Sequence, residues 1–192
     1  MDYDMRTFLV PSRCAIAMWD YSWLHCHYPG GSFADWPKIL RELLERGFNT
    51  VRIDAFPLLI GQLHSSDEEV TVLSEPQAPW GPCPYDVRHR ILPELLEFLS
   101  LCREHKIFVI LSAWNLIRTA EYPELREPYA VNRERFREAW AKVLDAVISA
   151  GLEESILYVD LDQEFPFFSP YAPELSTLGA TKEASGGDAM AE

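Results

Sequence analysis

The fold is decided by the stretch Ser155-Ile156-Leu157-Tyr158-Val159-Asp160-Leu161-Asp162-Gln163-Glu164-Phe165-Pro166. Apolar and β-branched residues run into clustered acids and a proline, so the stretch predicts a buried β-strand that ends close to Glu164. A carboxylate at the end of such a strand is a candidate catalytic acid. The alternative is that Glu164 caps a following helix or pairs with an arginine.

Three more strand-like runs precede this stretch, and each is followed by an apolar pattern at helical spacing. The strands are predicted at Cys14–Trp19, Thr50–Phe56 and Ile107–Asn115, and the helices at Trp36–Leu44, Ile91–His105 and Asn132–Ala150. Gly47 and Gly151 stand where two of these helices are expected to stop. Strands that alternate with helices imply an α/β fold with a parallel sheet and right-handed crossovers. The near-continuous apolar strands fit, because parallel strands are covered on both faces.

Two connections are longer than the usual loop between a strand and a helix. Leu58 to Asp86 carries four prolines together with Trp80 and Tyr85, and connections of this length are generally functional or disordered. Because of its aromatic residues we expect an ordered binding loop rather than a linker. Leu116 to Val131 shows no sustained periodicity and is expected to be a loop.

The length and composition suit one globular domain. The chain has 192 residues, of which 48% are hydrophobic and 24% are charged, and a domain of about 150 residues already buries roughly 70% of its unfolded surface. Apolar content falls from Pro173 onward. We therefore expect a domain over residues 1–172 and a flexible tail over residues 173–192.

The charge balance restricts the classes of partner. The 30 acidic residues against 17 basic ones give a formal net charge of −13. This balance argues against a nucleic-acid partner, because phosphate binding depends on clustered Lys and Arg. No apolar run reaches the ~20 residues needed to span a bilayer, so no membrane partner is expected.

The cysteines and the N-terminus indicate a cytoplasmic protein. Cys14, Cys26, Cys83 and Cys102 form no CxxC pair and no zinc-like spacing, so we expect reduced thiols and no metal site. Two disulfides are the alternative if the chain is exported. The acidic N-terminus lacks the apolar core of a signal peptide. No Gly-rich phosphate fingerprint is present, and no cofactor is expected.

Polar and aromatic residues gather where each predicted strand ends. In chain order these groups are Trp19, Asp20 and Trp23; Arg52, Asp54 and His64; Trp114, Asn115 and Arg118; and Asp160, Asp162, Gln163 and Glu164. Active sites of βα architectures form at the carboxyl ends of their parallel strands. All four groups would therefore face one opening.

Carboxylates beside tryptophans suggest a carbohydrate ligand. An indole packs on the apolar face of a sugar ring, while acids and amides bind its hydroxyls. Cleavage of a glycosidic bond needs two carboxyl groups, and Glu164 is the candidate for the one that protonates the leaving oxygen. Arg52 interrupts an apolar strand, so it needs a partner and could hold a neighbouring carboxylate ionised.

The tryptophans divide into two groups. Trp36 and Trp140 lie at helical spacing on apolar faces and are expected in the core. Trp19 and Trp114, at strand ends, suit a core as well as a sugar site.

Several segments resemble those of a known enzyme class. Gly47-Phe48-Asn49-Thr50-Val51-Arg52-Ile53 and Gln163-Glu164-Phe165-Pro166 resemble the second strand and the Asn-Glu-Pro segment of retaining glycoside hydrolases with the cellulase-type (β/α)8 barrel. Met18-Trp19-Asp20-Tyr21-Ser22-Trp23-Leu24, with Arg52-Ile53-Asp54-Ala55-Phe56-Pro57, resembles a sugar-binding, cellulase-like subgroup of them. The resemblance extends from about Ala15 to Pro166.

The resemblance implies roles for individual residues. Arg52 would be the active-site arginine of the second strand, and Glu164 the general acid/base at the end of the fourth. The implied substrate-binding residues are Trp19, Asp20, Arg52, Asp54, Trp114, Asn115 and Gln163. Gln163 stands where the family has an asparagine whose amide binds the sugar 2-hydroxyl.

The larger departure from the family is the number of βα units. The family nucleophile is a glutamate at the end of strand seven, and a complete barrel takes ~250 residues. About four βα units are evident here. The expected fold is therefore a half or truncated barrel of the TIM (β/α)8 type, whose open sheet edges a homo-oligomer would cover.

The predicted function is that of a glycoside hydrolase-like enzyme acting on O-glycosidic bonds of an oligosaccharide or polysaccharide. Glu164 would be its general acid/base, with a nucleophile from outside the recognised region. The alternative is a non-catalytic carbohydrate-binding or interaction protein derived from a truncated barrel. A flavodoxin-like regulatory or nucleotide domain also fits the alternation, although the sequence carries no phosphate loop.

Overall fold

The computed structural model of the chain describes residues 12–76, 83–114, 118–126 and 133–162. Its strands are β1 (Ile16–Asp20), β2 (Thr50–Asp54), β3 (Val70–Val72), β4 (Val87–His89), β5 (Phe108–Ser112) and β6 (Ile156–Asp160). Its helices are α1 (Ser22–His25), α2 (Trp36–Glu45), α3 (Pro57–Gln62), α4 (Ile91–Glu104) and α5 (Arg133–Ser149), with 3₁₀ turns at Pro123–Arg126 and Glu153–Ser155. None of the helices in these residues is long and apolar enough to cross a membrane.

Four of the strands form a parallel sheet in the order β1-β2-β5-β6. The three long helices α2, α4 and α5 lie in the connections between successive strands of this sheet. This arrangement confirms the α/β class and the parallel sheet. Gly47 and Gly151 follow α2 and α5 with φ of +84° and +65°. Both helices thus end, as predicted, at a glycine in the left-handed conformation that favours this residue.

The two faces of the sheet differ in burial and in polarity. Successive side chains of a strand point to opposite faces, so each face carries alternate residues of the strand. The core beneath the helices includes the fully buried side chains of Val51, Ile53, Val109 and Leu111. The alternate residues Arg52 and Asp54 belong to the other face. On the outer strands that face is open, with Met18 60% and Tyr158 51% exposed.

Asn49, just before β2, joins the amino ends of three strands. Its side-chain Oδ1 accepts a hydrogen bond from the Ala15 N–H at 2.9 Å, and its Nδ2 donates to the Arg13 carbonyl at 3.0 Å. Its own carbonyl accepts from the Phe108 N–H at 2.9 Å. One amide side chain thereby fixes the start of β1 against β2, while its backbone fixes β5.

The segment after β2 contains regular structure that its sequence pattern did not predict. Pro57 is the first residue of α3, a position where a missing N–H costs nothing and the fixed φ suits a helix. Further along, β3 and β4 pair antiparallel, and Val72 also bridges to Thr119. These elements are too short to show periodicity, so they were expected as loop. Trp80 lies outside the described residues.

Three tryptophans lie in the core. Trp36 and Trp140 are buried, which confirms the prediction from their helical spacing. Trp23, grouped above with the polar strand ends, is also completely buried, and its ring packs against Trp36, Phe56 and Phe98. Trp23 belongs to α1, whose four residues are all buried, and this turn carries it away from the strand end.

Candidate functional site

Each strand of the parallel sheet ends in a polar residue. These terminal residues are Asp20 of β1, Asp54 of β2, Ser112 of β5 and Asp160 of β6. Asp54 is in register with Ser112, and Ser112 with Asp160. The carboxyl edge of the sheet, where α/β proteins bind their ligands, is thus lined by a row of oxygen-bearing side chains.

Arg52 lies between two of these carboxylates. Its Nη2 donates to Asp20 Oδ1 at 3.0 Å, and its Nη1 lies 4.0 Å from Asp160 Oδ2. Ser112 Oγ donates to the same Asp160 oxygen at 3.4 Å. The guanidinium is only 13% exposed, whereas the Asp160 side chain is 30% exposed. The expectation that Arg52 has an acidic partner is confirmed, and Asp160 is the member of the cluster most open to a ligand.

Asp20 has an unusual backbone. Its φ is +40°, in the left-handed region that few residues other than glycine adopt, although Asp and Asn tolerate it better than most. Its Oδ1 accepts hydrogen bonds from Arg52 Nη2 and from Trp114 Nε1, both at 3.0 Å. Left-handed residues held by their surroundings concentrate at functional sites. One oxygen of the Asp20 carboxylate is therefore held by two donors.

Asp54 has no exposed surface. Its Oδ1 accepts from the Phe56 N–H at 2.7 Å, and its Oδ2 accepts from the Trp114 N–H at 3.2 Å. Burial, and to a smaller extent the nearby Asp20 charge, raise the pKa of Asp54 to about 7 against the lowering effect of these two hydrogen bonds. Asp54 thus holds the backbone of Phe56 and Trp114 by hydrogen bonds, and it presents no surface to a ligand at this edge.

The two tryptophans at strand ends have different surroundings. Trp114 lies in the cluster, with its backbone N–H bound to Asp54 and its indole N–H bound to Asp20. Trp19 is half-buried against the helix side of the sheet, with its ring centroid 5.0 Å from Phe33 and 6.2 Å from Phe98. The structure therefore separates Trp19 from the cluster, and its contacts are those of a packing residue.

Three of the predicted site residues lie outside the described residues: Asn115, Gln163 and Glu164. Arg118, another strand-end candidate, pairs with Glu75 at 2.9 Å. Ser112 was missed by the sequence reasoning, although its place at the end of an apolar strand was a usable signal. Within the described parts of the chain, no group of three His, Cys, Asp or Glu side chains could hold a metal ion, and the four cysteines form no disulfide.

A cavity of about 440 Å³ lies elsewhere, along α5. It is lined by Arg133, Phe136, Arg137, Trp140, Ala141, Leu144 and Leu161. It shares no lining residue with the cluster of Asp20, Arg52, Trp114 and Asp160. The cluster at the sheet edge, which combines acids, an arginine and an indole, carries the better-founded candidate site.

Comparison with known proteins gives two matches. The model of a family described as sugar-binding and cellulase-like matches residues 16–189. The solved structure of a "putative glycoside hydrolase" from Parabacteroides distasonis ATCC 8503 is similar to this chain, with 34% sequence identity and a TM-score of 0.70. The match covers 87% of this chain and 42% of that one, so this chain spans less than half of that protein. No curated protein matches the sequence.

Proposed function

The chain belongs to the sugar-binding cellulase-like family, and from this premise we propose that it is a glycoside hydrolase-like protein acting on O-glycosidic bonds of an oligosaccharide or polysaccharide. The observation that carries the proposal is the cluster of Asp20, Arg52, Trp114 and Asp160 at the carboxyl edge of the sheet. Fixed carboxylates beside an indole have the chemistry that binds sugars.

In this proposal each member of the cluster has its own part. Asp160, the most exposed carboxylate, accepts hydrogen bonds from sugar hydroxyls. Arg52 donates to Asp20 and lies 4.0 Å from Asp160, so its planar fork fixes how both acids face the ligand. Asp20 holds the indole of Trp114 in one orientation, and this ring, which is 8% exposed, borders the sugar.

Cleavage requires groups beyond the cluster. We propose Glu164 as general acid/base, with Asn115 and Gln163 as sugar-binding amides; these three follow strands whose other polar residues line the same edge. Hydrolysis needs a second carboxyl group as nucleophile or base, and the proposal assigns it to the part of the barrel that this chain does not span.

The proposed fold is the first half of a (β/α)8 barrel over residues 1–172, followed by a tail over residues 173–192. The TM-score of 0.70 against a protein more than twice as long supports a half barrel. A second copy of the chain would cover the open edges of β1 and β6. In this proposal the protein is cytoplasmic, as the spacing of its cysteines in the sequence predicts.

A second candidate is a non-catalytic carbohydrate-binding protein. The description of the family as sugar-binding favours it. So does the engagement of Asp20, whose Oδ1 is already bound to Arg52 and Trp114. This candidate needs the cluster but not the second carboxyl group.

Binding and cleavage should be measured side by side on cellohexaose and on xylohexaose. We expect Arg52→Lys to weaken binding by about tenfold, because the single ammonium of a lysine cannot hold Asp20 and Asp160 at once as the planar guanidinium does. Arg103→Lys is the matched control, since Arg103 is exposed and donates to the Gly151 carbonyl at 2.9 Å, away from the cluster.

The outcomes separate the candidates. Cleavage that is lost in Glu164→Gln, with binding kept, supports the hydrolase. Binding by the wild type with no cleavage of either sugar supports the binding protein. Equal binding by the Arg52→Lys and Arg103→Lys variants would overturn the assignment of the site.

A further inference from the structure

Asp54 is a fully buried acid whose two carboxylate oxygens bind the backbone of two different strand ends. We propose that Asp54 is the positioning residue of the sugar site and that it sets Trp114 in place without touching the ligand. This inference rests on the proposed function for its purpose, because a positioned indole matters only if a sugar binds there. Its physical content, the hold of Asp54 on Trp114, can be tested without any sugar.

The hydrogen bonds around Asp54 tie several elements together at one point. Its carboxylate accepts from the N–H groups of Phe56 and Trp114, and its carbonyl accepts from Trp23 Nε1 at 3.0 Å. The next residue, Ala55, donates its N–H to the Ser112 carbonyl at 2.8 Å. The segments that follow β2 and β5 are therefore hydrogen-bonded to each other. The carboxylate of Asp54 binds a backbone N–H in each of them and so fixes the position of both turns.

Trp114 links Asp54 to the rest of the cluster. Its backbone N–H binds Asp54 Oδ2 and its indole N–H binds Asp20 Oδ1, which in turn binds Arg52. A change at Asp54 shifts the backbone of Trp114 and with it the donor that reaches Asp20. Asp54 is connected to Arg52 through these hydrogen bonds, although it lies beneath the surface of the site.

The ionisation of Asp54 should change this hold. The charged groups at this edge of the sheet are Asp20 on β1, Arg52 on β2 itself and Asp160 on β6. The uncharged Trp23 and Phe56 come from α1 and the start of α3. Burial and the Asp20 charge raise the pKa of Asp54 to about 7. A protonated carboxyl group has one acceptor fewer for the two N–H groups, so the hold on Trp114 weakens as the pH falls below neutrality.

Nuclear magnetic resonance of the indole N–H groups tests this directly. In ¹⁵N-labelled full-length chain, the Trp114 indole resonance is assigned by its disappearance in Trp114→Phe. We expect that resonance to move between pH 5 and pH 9 with a midpoint near the Asp54 pKa of about 7. In Asp54→Asn it should be displaced and should no longer titrate in that range.

Asp35→Asn is the matched control. Asp35 also caps a backbone N–H, that of Lys38 at 3.0 Å, but it is exposed at the start of α2. Its variant should show the wild-type titration of Trp114. If Asp54→Asn does not fold, the wild-type titration decides alone: an indole resonance of Trp114 that is constant from pH 5 to pH 9 overturns the proposal, as does a wild-type titration curve in Asp54→Asn.

The affinity for a sugar tests whether the position of Trp114 matters for binding. We expect Asp54→Asn to bind cellohexaose about tenfold more weakly than Asp35→Asn, the loss typical of one hydrogen bond that orders a binding group. Equal affinities of these two variants would overturn the link to binding. If the wild type binds neither cellohexaose nor xylohexaose, the proposed function fails, while the resonance of Trp114 still decides whether Asp54 positions it.

Discussion

The two ends of β2 are organised alike and behave differently. At the amino end, the side chain of Asn49 accepts the Ala15 N–H and joins β1 to β2. At the carboxyl end, the side chain of Asp54 accepts the N–H groups of Phe56 and Trp114 and joins β2 to the residues after β5. Asn49 is neutral and partly exposed, whereas Asp54 is ionisable and buried. The comparison shows that the same strand can be joined to its neighbours in two ways. At its amino end the joining side chain is a neutral amide, and at the end that carries the candidate site it is a carboxyl group that can gain or lose a proton.

The largest expected effect is that of Asp54→Ala. The variant leaves two backbone N–H groups without their acceptor in a buried place, and each unsatisfied group costs about 1–3 kcal/mol. We expect the free energy of unfolding to fall by roughly 2–4 kcal/mol, measured by urea denaturation at pH 5, where the folded chain still holds the Asp54 proton. A loss equal to that of Asn49→Ala would remove the distinction between the two ends.

The second prediction concerns pH. The pKa of Asp54 is about 7 in the folded chain against an ordinary value of 3.8, so between these two pH values the folded state holds a proton that the unfolded state has released. The stability that this group contributes is complete below about pH 4 and is lost as the pH rises towards 7, with a slope of up to about 1.4 kcal/mol per pH unit. The slope should be present in the wild type and absent from Asp54→Asn when urea unfolding is followed from pH 5 to pH 8.

Asn49→Ala should have a smaller effect. It removes the acceptor of the Ala15 N–H, but this N–H lies near the surface, where water can replace the lost partner. We expect a loss of about 1 kcal/mol that does not vary between pH 5 and pH 8. Asn49→Asp keeps the acceptor for the Ala15 N–H but loses the donor to the Arg13 carbonyl, so it should recover only part of that loss in the same urea measurement. A pH-dependent loss in Asn49→Ala would contradict the comparison.

The smallest effect is expected on the open face of the sheet. Tyr158 is 51% exposed on β6, and exposed substitutions usually change stability by no more than about 0.5 kcal/mol. Tyr158→Ser should therefore leave the unfolding midpoint of the isolated chain nearly unchanged. A clear loss that depends on protein concentration would show that this face is covered by another copy.

Much of the fold could be predicted from the sequence because it depends on local patterns. The apolar runs of the four parallel strands and the helical spacing on α2, α4 and α5 each lie within one segment of about 5–17 residues. The acidic partner of Arg52 could also be predicted, because a guanidinium on an apolar strand is buried and requires a partner. The short elements α1, α3, β3 and β4 could not be predicted, because three to six residues show no period.

The arrangement within the site depends on contacts that the sequence does not display. Trp114 and Asp20 are 94 residues apart, and Trp114 and Asp54 are 60 residues apart. The strand-end rule placed all three residues at one edge, but it could not tell that Asp54 would be buried beneath that edge. It also could not tell that the left-handed Asp20 would bind the indole. Local patterns gave the location of the site, and only tertiary contacts gave the roles of its residues.

The hydrogen bond between Trp114 and Asp20 has a mechanical consequence. β1 is an edge strand in the described sheet, and Trp114 follows β5, which is separated from β1 by β2. The bond therefore acts as a diagonal brace across β2 and opposes sliding of the outer strand along its neighbour. An edge strand usually frays from its ends, but the carboxyl end of β1 should open more slowly than its amino end, and its amide protons should exchange with solvent deuterium accordingly.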